Sequence, residues 1–449
     1  MTSLLSHLDD ALKLARQHGA DQADAVVIRG QSRSAMIRQG KAEGIRHAES
    51  LSLGLRVFHE GRVATVAGND LTPEALSQLA ERACAMAKVV PPSPDDGLAS
   101  QPLIPVPASA IETLDLLDPA TPPSMETLLG KAQEMEEAAL SHDGITNSSG
   151  ASASTSLHDV ALATSAGFTG QYQRSGHGYG ISVLAGASAQ MQRDYAFHSA
   201  VHQADLENPV KLGHEAARRA LARLNPTRPK TGLYPVLFAP RVAGSLLAHL
   251  AGAINGSAIV QEASFLKDKL NHAVFSRGIT ITDDPTLPRL AGSRPFDGEG
   301  TAGRPLNLVE DGQLRHWLLD SRCARKLGLP ASNGRANRSG GGSVHPGTSN
   351  LLLHAGQHSP EELRHDIKEG VLITELMGSA INMLTGDYSR GGSGFMIRNG
   401  EIAEPVSGIT VAGNLLDMFA RLIPANDINL MMGHHAPTIR IDQMSLAGD

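Results

Sequence analysis

The sequence predicts an α+β protein in two units. An N-terminal α+β domain with an antiparallel sheet is expected over 1–225, and a C-terminal β-rich domain, barrel- or sandwich-like, over 226–449. Three observations carry this. In the first ninety residues, runs that alternate polar and apolar side chains sit between turn signals and are flanked by two helical patterns. A Ser/Thr/Ala/Gly-rich tract from 144 to 204 alternates in the same way and suits long strands with small side chains on one face. From 279 onward, short apolar runs separated by glycine turns dominate.

The elements follow in order. Leu4, Leu5, Leu8, Ala11, Leu12, Leu14 and Ala15 recur at helical spacing and stop at Gly19. "DAVVIRG", "RSAMIRQG", "LSLGLRVFHEG" and "RVATVAG" read as antiparallel strands. "LTPEALSQLAERACAMAKVV" is a helix that Thr72 can cap, with Pro73 at its first position. Residues 91–123 are proline-rich and read as a connector outside the core. A helix is expected at 124–140, strands from 144 to 204, and a helix in "NPVKLGHEAARRALARL" that ends before Asn225-Pro226. "YPVLFAP" (234–240) reads as a buried strand and 241–256 as a small-residue helix. No fixed-period repeat or coiled-coil heptad is present.

Composition narrows the function classes. The apolar fraction of 41% beside 19% charged residues marks a folded chain. Aromatics at 3% leave few stacking platforms for bases, and a net charge of −7 without a Lys/Arg run gives no electrostatic grip on nucleic acid. Cys84 and Cys323 form neither a disulfide framework nor a CxxC pair, which fits a reducing cytosol. Asp9 and Asp10 interrupt the first apolar pattern, so a signal peptide is not expected, and no run is long enough for a membrane span.

Motifs are sparse. A HExxH zinc site needs two imidazoles on one helical face with a Glu between them. His59-Glu60 has Val63 and Ala64 where the second His would fall, and His214-Glu215 has Arg218 and Arg219. The neighbours His434 and His435 would point in different directions on a strand. No GxSxG elbow occurs; "GGSGF" around Ser393 is followed by a strand and not a helix. Cys84 and Cys323 read as buried small hydrophobes. The glycines at 391–394 lack the Gly-Lys-Ser/Thr ending of a phosphate loop, and a second glycine-rich loop at 333–350 carries Arg335 and Arg338; either loop could bind an anion, but a flexible loop is the favoured reading. What remains is a polar set on glycine-rich β-type backbone: Glu375, Asn382, Asp387, Tyr388, Ser389, Arg390 and Asn414. Two readings stand. One is a wall of exposed strand edge and glycine loop that holds an extended peptide by main-chain hydrogen bonds. The other is a set of tight hairpins with structural hydrogen bonds only.

"TELMGSAINMLTGDYSRGGSGFMIRNGEIAEPVSGITVAGNLLDMF" (374–419) resembles the C-terminal signature of the TldD/PmbA family, in its PmbA (TldE) branch. "RPFDGEGT" (294–301), "LVEDGQLRHWLLDSRCARKLGL" (308–329) and the N-terminal "GADQADAVVIRG" and "GLRVFHEGRVATVAGNDLTPEAL" support the resemblance in the expected order. The resemblance implies a cytoplasmic, zinc-dependent peptidase system. In it TldD and TldE form a heterodimer that degrades or trims unfolded peptides, and an older label is modulator of DNA gyrase. In TldD a helix after the "PVLFAP"-like strand carries HExxxH, and a C-terminal cysteine completes the site; PmbA-type chains lack these ligands and complete the channel.

Aligned to that helix, "SLLAHLAGAI" puts Ala248 at the first His, His249 at the Glu and Ala253 at the second His. A one-residue shift gives His249, Leu250 and Ile254. "NLMMGHHAPTIRID" has no cysteine. The resemblance therefore implies no catalytic residue, metal ligand or cofactor in this chain, with zinc in a TldD-type partner. The expected partners are that paralogue or a second copy, and peptides, with no direct nucleic-acid or membrane contact. The alternative is a stand-alone homodimeric regulatory protein of a DNA gyrase or toxin–antitoxin system.

Overall fold

Long strands shape the N-terminal half. The computed structural model describes residues 3–99, 106–430 and 434–448. Helix α1 (Leu4–Gln17), capped by the Ser3 hydroxyl, precedes β1 (Gln22–Arg38), β2 (Lys41–His59) and β3 (Arg62–Gly68). Helix α2 (Pro73–Val89) starts at the Thr72 cap with Pro73 in its first turn. Helices α3 (Ala108–Leu114) and α4 (Met125–Leu140) follow, then β4 (Ile145–Thr164), β5 (Thr169–Ala185), β6 (Gln192–Ala200) and α5 (Pro209–Ala222).

All six strands join one antiparallel sheet in the order β3-β2-β1-β4-β5-β6. Its centre is the β1–β4 pairing, from Asp24 opposite Thr164 to Ile37 opposite Ala151. Strands of this length reach ~60 Å, more than one helix pair can cover. Helices α1 and α2 therefore cover one end, over Ala25, Val27, Leu55 and Ala161. Helices α4 and α5 cover the other, over Ala35, Ile37, Ala153 and Ile181. The described part of the connector crosses the gap between them. It does contribute to the core, against the sequence expectation: Leu98, Leu114 and Leu116 are buried, and the Leu116 carbonyl accepts the Ser175 N–H. Residues 100–105 of the connector lie outside the described residues.

The C-terminal half opens with β7 (Gly232–Phe238), α6 (Pro240–Ala253) and α7 (Gly256–Val260). Short strands β8 (Ile281–Asp283), β9 (Leu306–Glu310) and β10 (Gln313–Leu314) precede α8 (Ser321–Lys326). Strands β11 (Ala336–Arg338), β12 (Val344–Pro346) and β13 (Leu351–Leu353) precede α9 (Pro360–Arg364). Then come β14 (Glu369–Ile381), β15 (Asp387–Arg398), β16 (Glu401–Asn414), α10 (Leu415–Arg421), β17 (Ile423–Pro424), β18 (His434–His435) and β19 (Ile439–Ala447).

Strands β16-β15-β14-β7-β19 form a barrel, closed where β19 also pairs with β16. Side chains alternate as strand geometry requires. Val236, Val371, Ile373 and Met396 share a core with Leu246, Leu247 and Leu250 of α6, while Leu237 and Ile397 pack on the other face with Ile367. Closure corrects one reading of the sequence. Gly391–Gly394 is no loop and β15 has no free edge, because β14 and β16 pair with it on either side. The glycines permit close backbone approach: a Cβ at Gly394 would lie 1.8 Å from the Leu372 carbonyl oxygen.

The open face of the long sheet docks on the C-terminal half. Asp24, 1% exposed, accepts two buried guanidiniums, Arg56 at 2.5 Å and Arg338 at 2.7 Å. Burial alone would raise the Asp24 carboxyl; Arg338 and Arg56 hold it below its usual value. Gly54 lies so close to Gly342 that a Cβ would come within 2.4 Å of the facing backbone. Val26 and Leu162 meet Phe168 and Phe296 alongside. The two arginines read as anion candidates are thus structural: Arg335 is fully buried on Asp283 at 2.5 Å, and Arg338 serves Asp24. Asp24→Ala strands the Arg338 guanidinium and leaves Arg56 only Glu299 at 3.8 Å, and should cost ~3–5 kcal/mol, seen as a lower urea midpoint. A midpoint equal to that of the parent protein would remove this interaction from the account of how the halves join.

Candidate functional site

A cleft of about 650 Å³ opens where the edge of the long sheet meets the barrel. Strand β6 and helix α5 form one wall; the start of α6, parts of β14 and β15, and the segment around His434 form the other. Asn208 caps α5 and Pro209 starts it, which sets the adjacent Arg218 and Arg219 at the cleft. Arg219 is held by Glu215 one turn earlier at 2.5 Å and by the Tyr195 carbonyl at 3.1 Å. Arg218 is exposed and has no ion pair among the described residues. Arg241, in the first turn of α6, lies 4.1 Å over the Tyr195 ring and donates to Asp194 at 2.8 Å.

Asp194 is 3% exposed and ties the walls together, since it also takes Arg223 at 2.7 Å. Arg223 in turn reaches Glu375 and the Thr374 hydroxyl on β14, and Arg193 adds a second contact to Glu375 at 3.0 Å. Of the residues singled out in sequence, Glu375 thus sits behind the cleft wall, next to the lining Thr374, as an ion pair between the two halves. The others separate. Asn382, Asp387 and Asn414 lock the β14–β15 turn: Asn414 donates to the Thr385 carbonyl and Asp387, and the Asn382 side chain accepts the Leu384 N–H. Ser389 lies in β15 between Ala380 and Ala412. Tyr388 is 1% exposed beneath α6, and burial raises its phenol. Arg390 donates to the Gly378 carbonyl at 2.8 Å.

Tyr388 and Arg390 flank His249 of α6. The His249 ring meets Tyr388 edge-on at 5.9 Å. Burial, and then the Arg390 charge, push His249 down to about 4. His434 and His435 do point apart. His434 lines the cleft with its Nε2 3.4 Å from the Thr348 hydroxyl, whereas His435 is buried and pushed down to about 4 by burial and then His434. Met431–Gly433, within the cysteine-free "NLMMGHHAPTIRID" stretch, lie outside the described residues. His345 is exposed, and His214 pairs with His142 at 2.9 Å. Ser393 is buried in its strand, and burial pushes the Cys323 thiol up to about 12, so neither suits a nucleophile.

The cleft itself was missed in sequence. Asp194 and Tyr195 on β6, Arg223 after α5 and Arg241 on α6 come from three separate segments. The only signal was charge inside a strand ("RDY") and at the head of an otherwise small-residue helix.

Known proteins share this arrangement. Family models described as PmbA/TldA metallopeptidase domain 1, central domain and C-terminal domain match residues 23–87, 118–224 and 231–448. Metalloprotease PmbA of Escherichia coli O157:H7 is 34% identical over 98% of this chain and 94% of its own length. The PmbA homologue of Haemophilus influenzae is 32% identical over 98% and 95%. Among solved structures, a Bacteroides thetaiotaomicron protein suggested to modulate DNA gyrase superposes with a TM-score of 0.89 at 24% identity, covering 99% of both chains. TldE from Thermococcus kodakarensis superposes with a TM-score of 0.86 at 19% identity, covering 98% of this chain and all of that one. A long helix-covered sheet docked on a closed barrel is thus the architecture of a metallopeptidase-related class. The chain belongs to the PmbA/TldD metallopeptidase family.

The family name implies a metal, and α6 does not fit one. Ala248 and Ala253 offer no donor atom, and His249 stands against the Tyr388 ring beside the Arg390 cation, which repels a second cation. Among the described residues no three His, Cys, Asp or Glu side chains gather into a metal-sized cluster. The histidine environments give a testable pH dependence. His249 and His435 resist protons until about pH 4, while unfolded histidines take them near 6.5. Stability is therefore fully present above pH 6.5 and falls progressively as pH drops from 6.5 toward 4. Urea unfolding across that range should show the decline, and His249→Phe should flatten it. An unchanged slope in that variant would refute the buried neutral imidazole.

Proposed function

We propose that this chain is the non-catalytic, substrate-channel subunit of a TldD/TldE-type zinc metallopeptidase that degrades or trims unfolded peptides. The observation that carries the reading is helix α6: it follows the "PVLFAP" strand, and it bears Ala248, His249 and Ala253 at the aligned ligand positions beside Arg390. Metal, general base and hydrolysis belong in this reading to a HExxxH-bearing paralogue, with peptides as substrate and the cytoplasm as location. No described helix is long and apolar enough to cross a membrane.

This chain contributes walls. Because β15 has no free edge, a peptide at the barrel is held by side chains and not by strand addition. The cleft supplies the guanidinium of Arg218, unpaired among the described residues, for a carboxylate, beside Arg219 and Arg241 that are already held by Glu215 and Asp194, and the rings of Tyr195, Phe197 and Phe395 for apolar groups. Such contacts discriminate weakly by sequence, as handling of unfolded chains requires. The β14–β15 hairpin, with Asn382, Asp387, Ser389, Arg390 and Asn414, lies at the peptide path in this reading. Glu375 and Tyr388 set the spacing of its supports. A second reading, a homodimeric protein acting on a gyrase system, draws on the description of the Bacteroides relative; the net charge of −7 weighs against DNA contact.

The test is metal content and peptidase activity of the chain alone, then after mixing with a HExxxH-bearing relative. The expected outcome is no zinc and no turnover alone, and turnover on mixing. Arg390→Ala or Asp387→Ala should lower kcat/KM of the mixture about tenfold while the chain stays folded, the scale of one lost charged contact. Stoichiometric zinc and activity in the isolated chain would overturn the assignment.

A further inference from the structure

A second pocket lies away from the cleft, on the helix-covered face of the long sheet in the gap between the two helix pairs. Its volume is about 280 Å³, and the connector residues Leu117, Asp118, Ala120 and Pro122 roof it. Strand register builds its floor. His47, Arg33, Thr155 and His177 stand opposite one another on β2, β1, β4 and β5 as one cross-strand row. Thr155 and His177 are 6% and 7% exposed, and polar groups so buried are normally satisfied.

The row is polarised. At one end Asp118 accepts the Ala120 and Gln203 N–H groups at 2.9 and 2.7 Å and faces His177 Nε2 at 3.2 Å. Burial would raise the Asp118 carboxyl, yet those N–H groups hold it below its usual value. Burial outweighs Asp118 in lowering His177, so the imidazole is neutral. His177 Nε2 is buried and makes no hydrogen bond among the described residues, although the Asp118 carboxylate lies 3.2 Å away, so an unsatisfied imidazole nitrogen remains at this end of the pocket. Two strands away, next to the terminal His47, Arg33 is exposed at the mouth, with no ion pair or hydrogen bond to its guanidinium among the described residues. Arg33 and His177 thus stand about 10 Å apart between backbones. The volume equals that of about nine waters, the size of a dipeptide.

We infer that this pocket binds a small zwitterion, with its carboxylate at Arg33 and its ammonium at the Asp118–His177 end. The inference does not rest on the channel reading, since none of these residues lines the cleft. A ligand here would tie the connector roof to the sheet floor and so join the two helix pairs.

The test is calorimetry on the full chain with glycylglycine, glycylglycinamide, which keeps only the cation, and N-acetylglycine, which keeps only the anion. Saturable one-site binding is expected for glycylglycine, at least about tenfold tighter than for either analogue, and Arg33→Ala should weaken it by a similar factor. Arg33 is exposed and unpaired, so the variant should keep the parent melting temperature. No saturable binding up to about 10 mM would overturn the proposal. So would equal binding of glycylglycinamide or of N-acetylglycine, or parent-like affinity in Arg33→Ala.

Discussion

The carboxylate of Asp24 is shared between the two halves of the molecule, and the rest of the arrangement depends on it. It sits on β1 at the start of the β1–β4 pairing, pointing away from α1 and α2. A buried carboxylate between two buried guanidiniums tolerates little displacement, because any gap exposes an unpaired charge to a medium that cannot solvate it. The glycine-on-glycine approach of Gly54 and Gly342 beside it fixes the distance sterically. At the far edge of the sheet Asp194 and Glu375 repeat the pattern with Arg223 and Arg241. The cleft is what remains between these ionic anchors, so its width follows from them and not from the side chains that line it.

The local chemistry was legible in the sequence and the long-range pairing was not. Thr72 and Pro73 announced α2, and Asn208-Pro209 opened α5, because caps act within one turn. Strand-like alternation marked β1 to β6, but nothing local says that β1 pairs with β4 across more than a hundred residues. The glycines of β15 read as a loop because their purpose, room for the Leu372 carbonyl, resides on another strand. Arg335 and Arg338 read as free cations for the same reason: Asp283 and Asp24 are far away in sequence.

The candidate site shows the same division. A single dense stretch drew attention to Asp387, Tyr388 and Arg390, and the fold spreads these over a turn, a buried ring and a strand bulge. The cleft between the halves takes at most four residues from each of several distant segments, which no window of sequence displays. The side chain most telling for chemistry, His249, was found only by placing α6 after its strand.

The closure of the barrel by β19 bears on how the protein is made. Strand β19 alone bridges β7 and β16, and it lies some two hundred residues after β7. During synthesis β7, β14, β15 and β16 leave the ribosome before their last neighbour exists. Until residues 439–447 emerge, two strand edges stay open to any other nascent chain. A ribosome that stalls or a protease that cuts before this point would release a sticky sheet in place of a slightly shortened chain, so quality control of this protein turns on β19.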